Sequence, residues 1–400
     1  MIDKIEFIPD GTITTPQGFT AGAAYGGINE HARFQLDVGI LLSQTPCAAA
    51  GVFTKNQIKS APVILCQERL QTSAIRALIA NSGCANAGTG DLGMADAIIM
   101  AEVAANKTGV LETEVLVAST GVIGRRLPTH LIRQAANEMG LSPQGGHLLA
   151  RAIMTTDTAP KEVACRAGDF CVGAVAKGAG MIHPNMATML CFITTDAVAP
   201  ADFLARALQN AVDKSFNMIS IDGDTSPNDT VLLLANGVSG CDIVACEETA
   251  VLFQEALDAV CIHLAKAIAR DGEGATKLIE IMVKGAATLP EARDAARTIA
   301  SSNLVKTAVH GADPNWGRII AAAGRSQAKV VEDKIALTMC GVPVMQGGVP
   351  LSFDAANLSS LLRQKEAVIE LDLNLGEATA TAWGCDLSAE YVAINADYTT

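Results

Sequence analysis

Apolar runs of strand length alternate with amphipathic helical segments along most of this 400-residue chain, and this alternation restricts its fold more than any other feature. In the first 160 residues, helical spacing favours three helices, at MADAIIMAEVAANKTG (94–109), PTHLIRQAANEMG (128–140) and GHLLARAIMTT (146–156). Four other runs, bounded by Gly, Asn and Pro, are typical of strands: FQLDVGILLS (34–43), AAAGVFT (48–54), APVILCQ (61–67) and RALIANSG (76–83).

The alternation continues to the end of the chain. Further strands are predicted at 170–180, 188–197, 230–236 and 277–286. Helices are predicted at 200–217, 247–272 and 289–303, and short strands with one helix follow from residue 328. Because strands and helices alternate without a strict βαβ rhythm or a long repeat, the sequence predicts a layered α/β or α+β fold.

Composition excludes several classes of function. The chain has 29 basic and 42 acidic residues, a net charge of −13, which opposes binding to a nucleic-acid backbone. Its N-terminus has no apolar leader, and no apolar run is long enough to span a membrane, so we expect a cytosolic protein. Eleven cysteines without a C-x-x-C or H-E-x-x-H motif indicate buried free thiols rather than a metal site.

Two motifs match known binding loops only in part. GTGDLG (88–93) has the glycine spacing of a dinucleotide loop, but seven residues separate it from the preceding strand, where a tight turn is needed. DGDTSPND (222–229) places oxygens at alternate positions as a calcium loop does, but Pro227 replaces the required glycine and Leu233 the required glutamate. The second motif is therefore either a polar turn before a buried strand or a turn that faces a substrate.

The stretch KGAGMIHPNMATML (177–190) offers an unusual nucleophile. Gly178 and Gly180 permit rare backbone angles, Pro184 fixes its own φ, and the small Ala187 leaves the peptide bond to Thr188 open to attack. Such a bond suits an N-to-O acyl shift that releases Thr188 as a new N-terminus. Its α-amine, with an ordinary pKa of about 8, could then take the proton of its own hydroxyl. The alternative is that Thr188 is only the first residue of a buried strand.

Several long segments together resemble the ornithine acetyltransferase family, the glutamate N-acetyltransferases of arginine biosynthesis. The resemblance covers nearly the whole chain and does not depend on any one motif. The segments that carry it are NSGCANAGTG (81–90), STGVIGRRLP (119–128), IMTTDTAPK (153–161), KGAGMIHPNMATML (177–190), FNMISIDGDTSPNDT (216–230), ARDGEGATK (269–277), LVKTAVHGADPNWGRI (304–319) and TAWGCDLSAEYVAINADYTT (381–400).

The resemblance implies a precursor that cleaves itself between Ala187 and Thr188. It also implies an αββα layered sandwich of the N-terminal-nucleophile type with a smaller C-terminal α/β module. We expect an α chain (1–187), the start of the β chain with the nucleophile strand (188–285) and a C-terminal module (286–400). The chains would stay associated, as an α2β2 heterotetramer by analogy with the family.

By the same resemblance, Thr188 accepts the acetyl group of N2-acetyl-L-ornithine and passes it to L-glutamate in a ping-pong cycle. Thr120 and Gly121 would form the oxyanion hole. No cofactor is implied, and whether acetyl-CoA is also a donor stays open because members of the family differ. Substrate-binding positions fall on Thr155, Lys177, Thr188, Glu273, Asn395 and Thr400.

The chemistry of these side chains suits an N-acetyl amino acid. Lys177 can neutralise an α-carboxylate and Glu273 can meet the ammonium group of ornithine. A site with Glu273 would repel the γ-carboxylate of glutamate unless a cation such as Lys177 or Arg318 screens it. Thr156 is an alternative to its neighbour Thr155.

Two other functions are compatible with parts of the sequence. An N-terminal-nucleophile aminopeptidase or amidase would use the same cleavage but pass the acyl group to water. A nucleotide or metabolite binding module would use GTGDLG (88–93) and leave the chain uncleaved. The acceptor distinguishes the first alternative, and an intact chain in active protein would distinguish the second.

Overall fold

The computed structural model of the chain describes residues 5–29, 35–72, 74–183 and 189–397. Three residues with predicted roles, Ala187, Thr188 and Thr400, lie outside these ranges. The strands of the described part are β1 (Ile5–Phe7), β2 (Phe19–Ala24), β3 (Val38–Phe53), β4 (Ile75–Asn81), β5 (Val115–Ser119), β6 (Lys161–Ala167), β7 (Phe170–Lys177), β8 (Leu190–Thr195), β9 (Ile219–Ser220), β10 (Thr230–Ala235), β11 (Leu278–Ala286), β12 (Ala336–Met339), β13 (Val342–Gln346), β14 (Val349–Pro350), β15 (Glu366–Asp372) and β16 (Ala378–Cys385).

Helices separate many of these strands, as the sequence pattern predicts. They are α1 (Ala61–Thr72), α2 (Gly90–Thr108), α3 (Thr129–Glu138), α4 (Gly146–Ala152), α5 (Ala201–Lys214), α6 (Glu247–Arg270), α7 (Leu289–Ala300), α8 (Asn303–His310), α9 (Trp316–Gly324), α10 (Ala355–Leu362) and α11 (Ala389–Asp397). Within the described ranges, no helix is long and apolar enough to cross a membrane.

The first sheet has the order β1-β6-β7-β8-β10-β3-β4-β5, and β2 also pairs with β3. The first half of β3 pairs with β2 and β4, and its second half pairs with β10. The register of the β3–β4 pairing shifts between Leu42 and Cys47, shortly before the part of β3 that pairs with β10 begins. The long strand β3 therefore joins two parts of the sheet.

Alternate side chains of β8 point into two different cores. Leu190 and Phe192 pack in a core with β4, β5 and α2, whereas Cys191 and Ile193 pack in a core with α5 and α6. Helices α1 and α2 contact the β4–β5 part, and α6 contacts β6 and β7 on the other part. These layers are the αββα sandwich that the resemblance implies, so the predicted fold class is confirmed.

A second, smaller sheet has the order β14-β13-β12-β15-β11-β16-β9. Helix α7 packs on β11 and β16, and α6 also contacts both strands. This sheet corresponds to the predicted C-terminal α/β module, but β9 and most of β11 precede residue 286. The division at 187 and 285 stays a prediction.

Two predictions of local structure are wrong. The segment 61–67 is not a strand but the start of α1, where buried positions recur at Ala61, Leu65 and Arg69, the spacing of one helix face. Pro62 lies in the first turn, which a helix tolerates well. The runs 34–43 and 48–54 are not two strands, because residues 38–43 and 48–53 belong to one strand, β3.

The cysteines behave as the sequence predicts. All eleven are free thiols, and eight of them are buried. Burial raises the pKa of several, for example to about 12 for Cys66 and Cys165. These thiols are therefore protonated packing residues of the core.

Candidate active site

One cleft brings together six of the predicted site residues. They come from the ends of β5 and β7, the segment after α4, the loop after α6, and α11. The six residues are Thr120, Gly121, Thr155, Lys177, Glu273 and Asn395. Thr156 also lines the cleft, so the choice between it and Thr155 stays open.

The loop after β5 carries two hydrogen-bond donors into the cleft. Thr120 continues the parallel pairing of β4 and β5, and its N–H donates to the Asn81 carbonyl over 3.0 Å. Gly121 has a φ of 126°, and a Cβ there would lie 2.3 Å from the carbonyl carbon of Gly83, so glycine is required. Among the described residues, the N–H of Gly121 has no acceptor. Both groups suit the stabilisation of a developing oxyanion.

Lys177 supports the first of these donors. Its side chain is buried at the end of β7, and its Nζ donates to Thr120 Oγ1 over 3.3 Å. An ammonium group can only donate, so the bond uses a lone pair of Oγ1 and leaves the threonine hydrogen free. Burial lowers the pKa of Lys177, and the attraction of Asp157 opposes that effect. The cleft therefore contains a cation in a site largely closed to water.

Asp157, which has no predicted role, organises the segments on either side of Lys177. One carboxylate oxygen accepts from Gly178 N (2.7 Å) and Lys161 Nζ (2.7 Å), and the other accepts from Thr155 N (3.0 Å). Burial disfavours the charge of Asp157, but the attraction of Lys161 and Lys177 outweighs it and lowers the pKa to about 2. Asp157 is thus an ionised anchor beneath the cleft.

Glu273 and Asn395 form the other end of the cleft. The amide Nδ2 of Asn395 donates to Glu273 Oε2 over 2.8 Å, and Glu273 N donates to the Ala179 carbonyl over 2.8 Å. A Cβ at Gly180 would lie 2.4 Å from the carboxylate of Glu273, so glycine allows the acid to approach the loop. The side chains of Glu273 and Asn395 are therefore in direct contact, which is compatible with the prediction that both bind the same substrate.

The motif DGDTSPND (222–229) faces this cleft through Asp222, Asp224, Ser226 and Asn228. Of the two interpretations of its sequence, the turn that faces a substrate fits this position. Tyr391 of α11 lines the same side, and burial together with the charges of Asp222 and Glu273 raises the pKa of its phenol. The sequence offered no signal for Tyr391 beyond its place in the C-terminal segment.

Arg318 and the motif GTGDLG (88–93), which the sequence analysis also considered, lie outside the cleft. Arg318 donates to the Leu304 carbonyl (2.8 Å) and Thr307 Oγ1 (3.2 Å), and it does not line the cleft. GTGDLG (88–93) leads into α2, and none of its residues lines the cleft. Lys177 is therefore the one cation among the described lining residues that could screen a second carboxylate.

The proposed nucleophile Thr188 and the cleavage partner Ala187 lie outside the described residues, as does Thr400. The residue bonded to Thr188 is Met189, which precedes β8, and Leu190 of β8 pairs directly with Lys177. The cleft brings together two hydrogen-bond donors, a buried lysine and a carboxylate–amide pair, and these are groups that suit an acyl transfer to or from an amino acid.

Comparisons with known proteins identify the family of the chain. The sequence profile of the ArgJ family matches residues 20–400. A protein of Dehalococcoides mccartyi named arginine biosynthesis bifunctional protein ArgJ is 55% identical over 100% of both chains. A protein of Symbiobacterium thermophilum with the same name is 52% identical over 98% of this chain and 99% of its own.

A solved structure is also similar. The crystal structure of the arginine biosynthesis bifunctional protein ArgJ of Bacillus halodurans aligns with a TM-score of 0.50 and 42% identity. The alignment covers 97% of that chain but 51% of this one. The polypeptide in that crystal is therefore about half as long as the present chain.

Proposed function

The chain belongs to the ArgJ family of arginine-biosynthesis proteins, and from this premise we propose that it moves the acetyl group of N2-acetyl-L-ornithine to L-glutamate through an acetyl-Thr188 intermediate. The observation that carries the proposal is the convergence of six predicted site residues on one cleft, although they come from five separate segments. Of the two alternatives, neither the amidase nor the nucleotide module is favoured, because family membership extends over the whole chain.

We propose that the enzyme first processes itself. The hydroxyl oxygen of Thr188 attacks the carbonyl carbon of Ala187, and the amide nitrogen of Thr188 leaves that carbon with the proton of the hydroxyl. Water then hydrolyses the ester, giving an α chain that ends at Ala187 and a β chain that begins with Thr188. The half-length Bacillus halodurans polypeptide supports this step, since a β chain of 188–400 would also be just over half of the precursor.

In turnover, the free α-amine of Thr188 takes the proton of its own hydroxyl, and the oxygen attacks the acetyl carbonyl carbon of N-acetylornithine. The negative charge that develops on the acetyl oxygen meets Thr120 Oγ–H and Gly121 N–H. Lys177 keeps the Thr120 hydrogen directed away from itself. Ornithine leaves with the proton, and glutamate then takes the acetyl group by the reverse sequence.

Substrate recognition follows from the charges along the cleft. Glu273 and Asn395 suit the ammonium group of ornithine, and Lys177 suits a carboxylate close to the reacting carbonyl. Thr155 and Thr400 would add hydrogen bonds. The relatives are named bifunctional, so acetyl-CoA is the second donor to assay, with no resident cofactor. We expect two α and two β chains in the assembly.

Intact-mass spectrometry under denaturing conditions tests the first step. Two masses, for 1–187 and 188–400, are expected from the purified protein, and one mass of 400 residues in an active preparation would overturn the proposal. Incubation with N-acetylornithine should then add one acetyl group to the β chain alone. Its removal by glutamate as N-acetylglutamate supports a transferase, whereas release as acetate without glutamate would support the amidase.

A further inference from the structure

The turn Asp222–Asp229, between β9 and β10, has no part in the chemistry proposed above. Its residues hold three other segments by hydrogen bonds that all meet beside the cleft. One of these segments, Met181–Ile182, lies shortly before the predicted cleavage bond, and another begins at Met189, the first described residue after that bond. The turn is therefore hydrogen-bonded to the chain on both sides of the bond that we propose is cut.

On the N-terminal side of that bond, Asp222 holds residues 181 and 182. Its carboxylate accepts from Met181 N and from Ile182 N, the latter over 2.8 Å. Ile221 N returns a bond to the Ile182 carbonyl over 2.8 Å. Met181 has a φ of 56°, which is unfavourable for a side chain of its size, so these bonds stabilise a strained residue.

On the C-terminal side, Asp229 holds Met189. Its Oδ1 accepts from Met189 N over 3.2 Å, and Thr230 N donates to the Met189 carbonyl over 3.1 Å. Asp229 is fully buried, and within the described residues its Oδ2 has no hydrogen-bond partner. Burial raises the pKa of this carboxyl well above its usual range, and the attraction of Lys177 and the hydrogen bond from Met189 N oppose that effect.

The same turn holds the oxyanion loop. Asn228 is buried, and its Nδ2 donates to the Ser119 carbonyl over 2.8 Å and to the Ala85 carbonyl over 2.6 Å. Ser119 directly precedes Thr120. One short turn thus fixes the position of the proposed oxyanion donors relative to both sides of the cleavage site.

We propose that the turn Asp222–Asp229 positions the scissile segment for self-cleavage, with Asp222 and Asp229 as positioning residues on its two sides. Only residues 183–188 separate the two held positions, Ile182 and Met189. Fixing both ends of so short a segment restricts the conformations open to it and so lowers the entropic cost of the attack. The inference rests on the proposed cleavage at Ala187–Thr188.

The test follows cleavage over time in chains made by cell-free synthesis, with the two fragments separated by mass. Asp222→Ala and Asp229→Ala should each slow cleavage by about 10- to 100-fold, because each frees a segment and leaves a buried N–H unpaired. Asp229→Asn should cleave within about threefold of the wild type, because its amide oxygen can still accept from Met189 N. Asp229→Leu replaces the alanine variant if the cavity prevents folding.

Asp196 provides a matched control at the other end of β8. Like Asp229, it is buried, and its carboxylate accepts hydrogen bonds from Cys171 N (2.8 Å) and Gln17 N (3.0 Å). Asp196→Ala should therefore lose a similar amount of stability but cleave at the wild-type rate. Cleaved Asp229→Ala protein should also show a lower kcat at an unchanged KM, which a general loss of stability does not produce.

The outcomes separate the two proposals. If the wild type is never cut between 187 and 188, the proposed function fails. If the wild type is cut and Asp222→Ala and Asp229→Ala match Asp196→Ala, the positioning role is wrong and the function stands. If Asp229→Asn is cleaved as slowly as Asp229→Ala, the hydrogen bond from Met189 N is not what positions the segment, and this part of the proposal is also wrong.

Discussion

The two ends of the cleft are built in different ways. At one end, which we call proximal, Thr120 and Lys177 are buried where strands of the first sheet end. At the other end, which we call distal, Glu273 is also buried but lies in the loop after α6, and Asn395 is an exposed residue of α11, a helix with no buried residue. Strand ends within a sheet hold groups rigidly, whereas a surface helix can adjust.

This contrast suggests a division of labour. Transition-state stabilisation needs donors fixed in place before the charge develops, and the proximal end provides them. Ornithine and glutamate share the α-amino acid part and differ beyond it, so recognition of both needs adaptable contacts. We therefore expect proximal substitutions to change kcat and distal substitutions to change KM.

The largest effect is expected from the nucleophile. Thr188→Ala should leave one uncut chain of 400 residues and lower activity by at least about 10⁴-fold, because it removes the attacking oxygen of both reactions. Thr188→Ser, which keeps the hydroxyl, should still be cut. Intact mass and acetyl-transfer assays measure both. Cleaved Thr188→Ala protein would refute self-processing by this residue.

The oxyanion donor should have the next largest effect. Thr120→Val keeps the shape but removes the hydroxyl beside Lys177, so kcat should fall by about 100- to 1,000-fold at a nearly unchanged KM. Thr120→Ser retains a donor and should recover most of the rate. A rise in KM with an unchanged kcat would place Thr120 with the recognition residues instead and contradict the contrast between the two ends.

Much of this contrast could be predicted from sequence, but the anchors beneath it could not. The resemblance to a known family pointed to Thr120, Lys177 and Glu273, whereas apolar periodicity predicted only where the strands end. Asp157 and Asp229 gave no such signal, since their roles depend on backbone N–H groups brought close by folding. The segment 61–67 was predicted wrongly because a short apolar run fits a strand and a buried helix equally well.

The proximal anchor Asp157 should produce a specific loss of stability in acid. Its pKa of about 2 is below its ordinary value of 3.8, so ionised Asp157 stabilises the fold above pH 3.8, and this contribution is lost as the pH falls towards 2. The shift corresponds to about 2 kcal/mol. The stability advantage of the wild-type residue over Asp157→Asn should therefore shrink by about this amount between pH 5 and pH 2.

Denaturant unfolding of the uncut Thr188→Ala chain, with and without Asp157→Asn, measures this difference on single polypeptides. An advantage that is the same at both pH values would mean that Asp157 is not an ionised anchor. The proximal end would then lack the rigidity on which the contrast depends.

The smallest effect is expected at the distal end, and its sign should depend on the substrate. Glu273→Gln should raise the KM for N-acetylornithine by about tenfold, because it removes the partner of the ammonium group, and should leave kcat within about threefold. For glutamate the same change removes a repelling charge, so its KM should stay level or fall. Half-reaction kinetics with each substrate separate the two values.

Asn395→Ala serves as the companion variant because its amide donates to Glu273. Asn395 orients the carboxylate but carries no charge, so its loss should raise the KM for N-acetylornithine less than Glu273→Gln does. The loss of binding free energy in the double variant should be smaller than the sum of the losses in the two single variants, as expected for residues in direct contact. If both substrates respond to Glu273→Gln in the same direction, the distal end does not distinguish them by charge, and its adaptable part must lie elsewhere on α11.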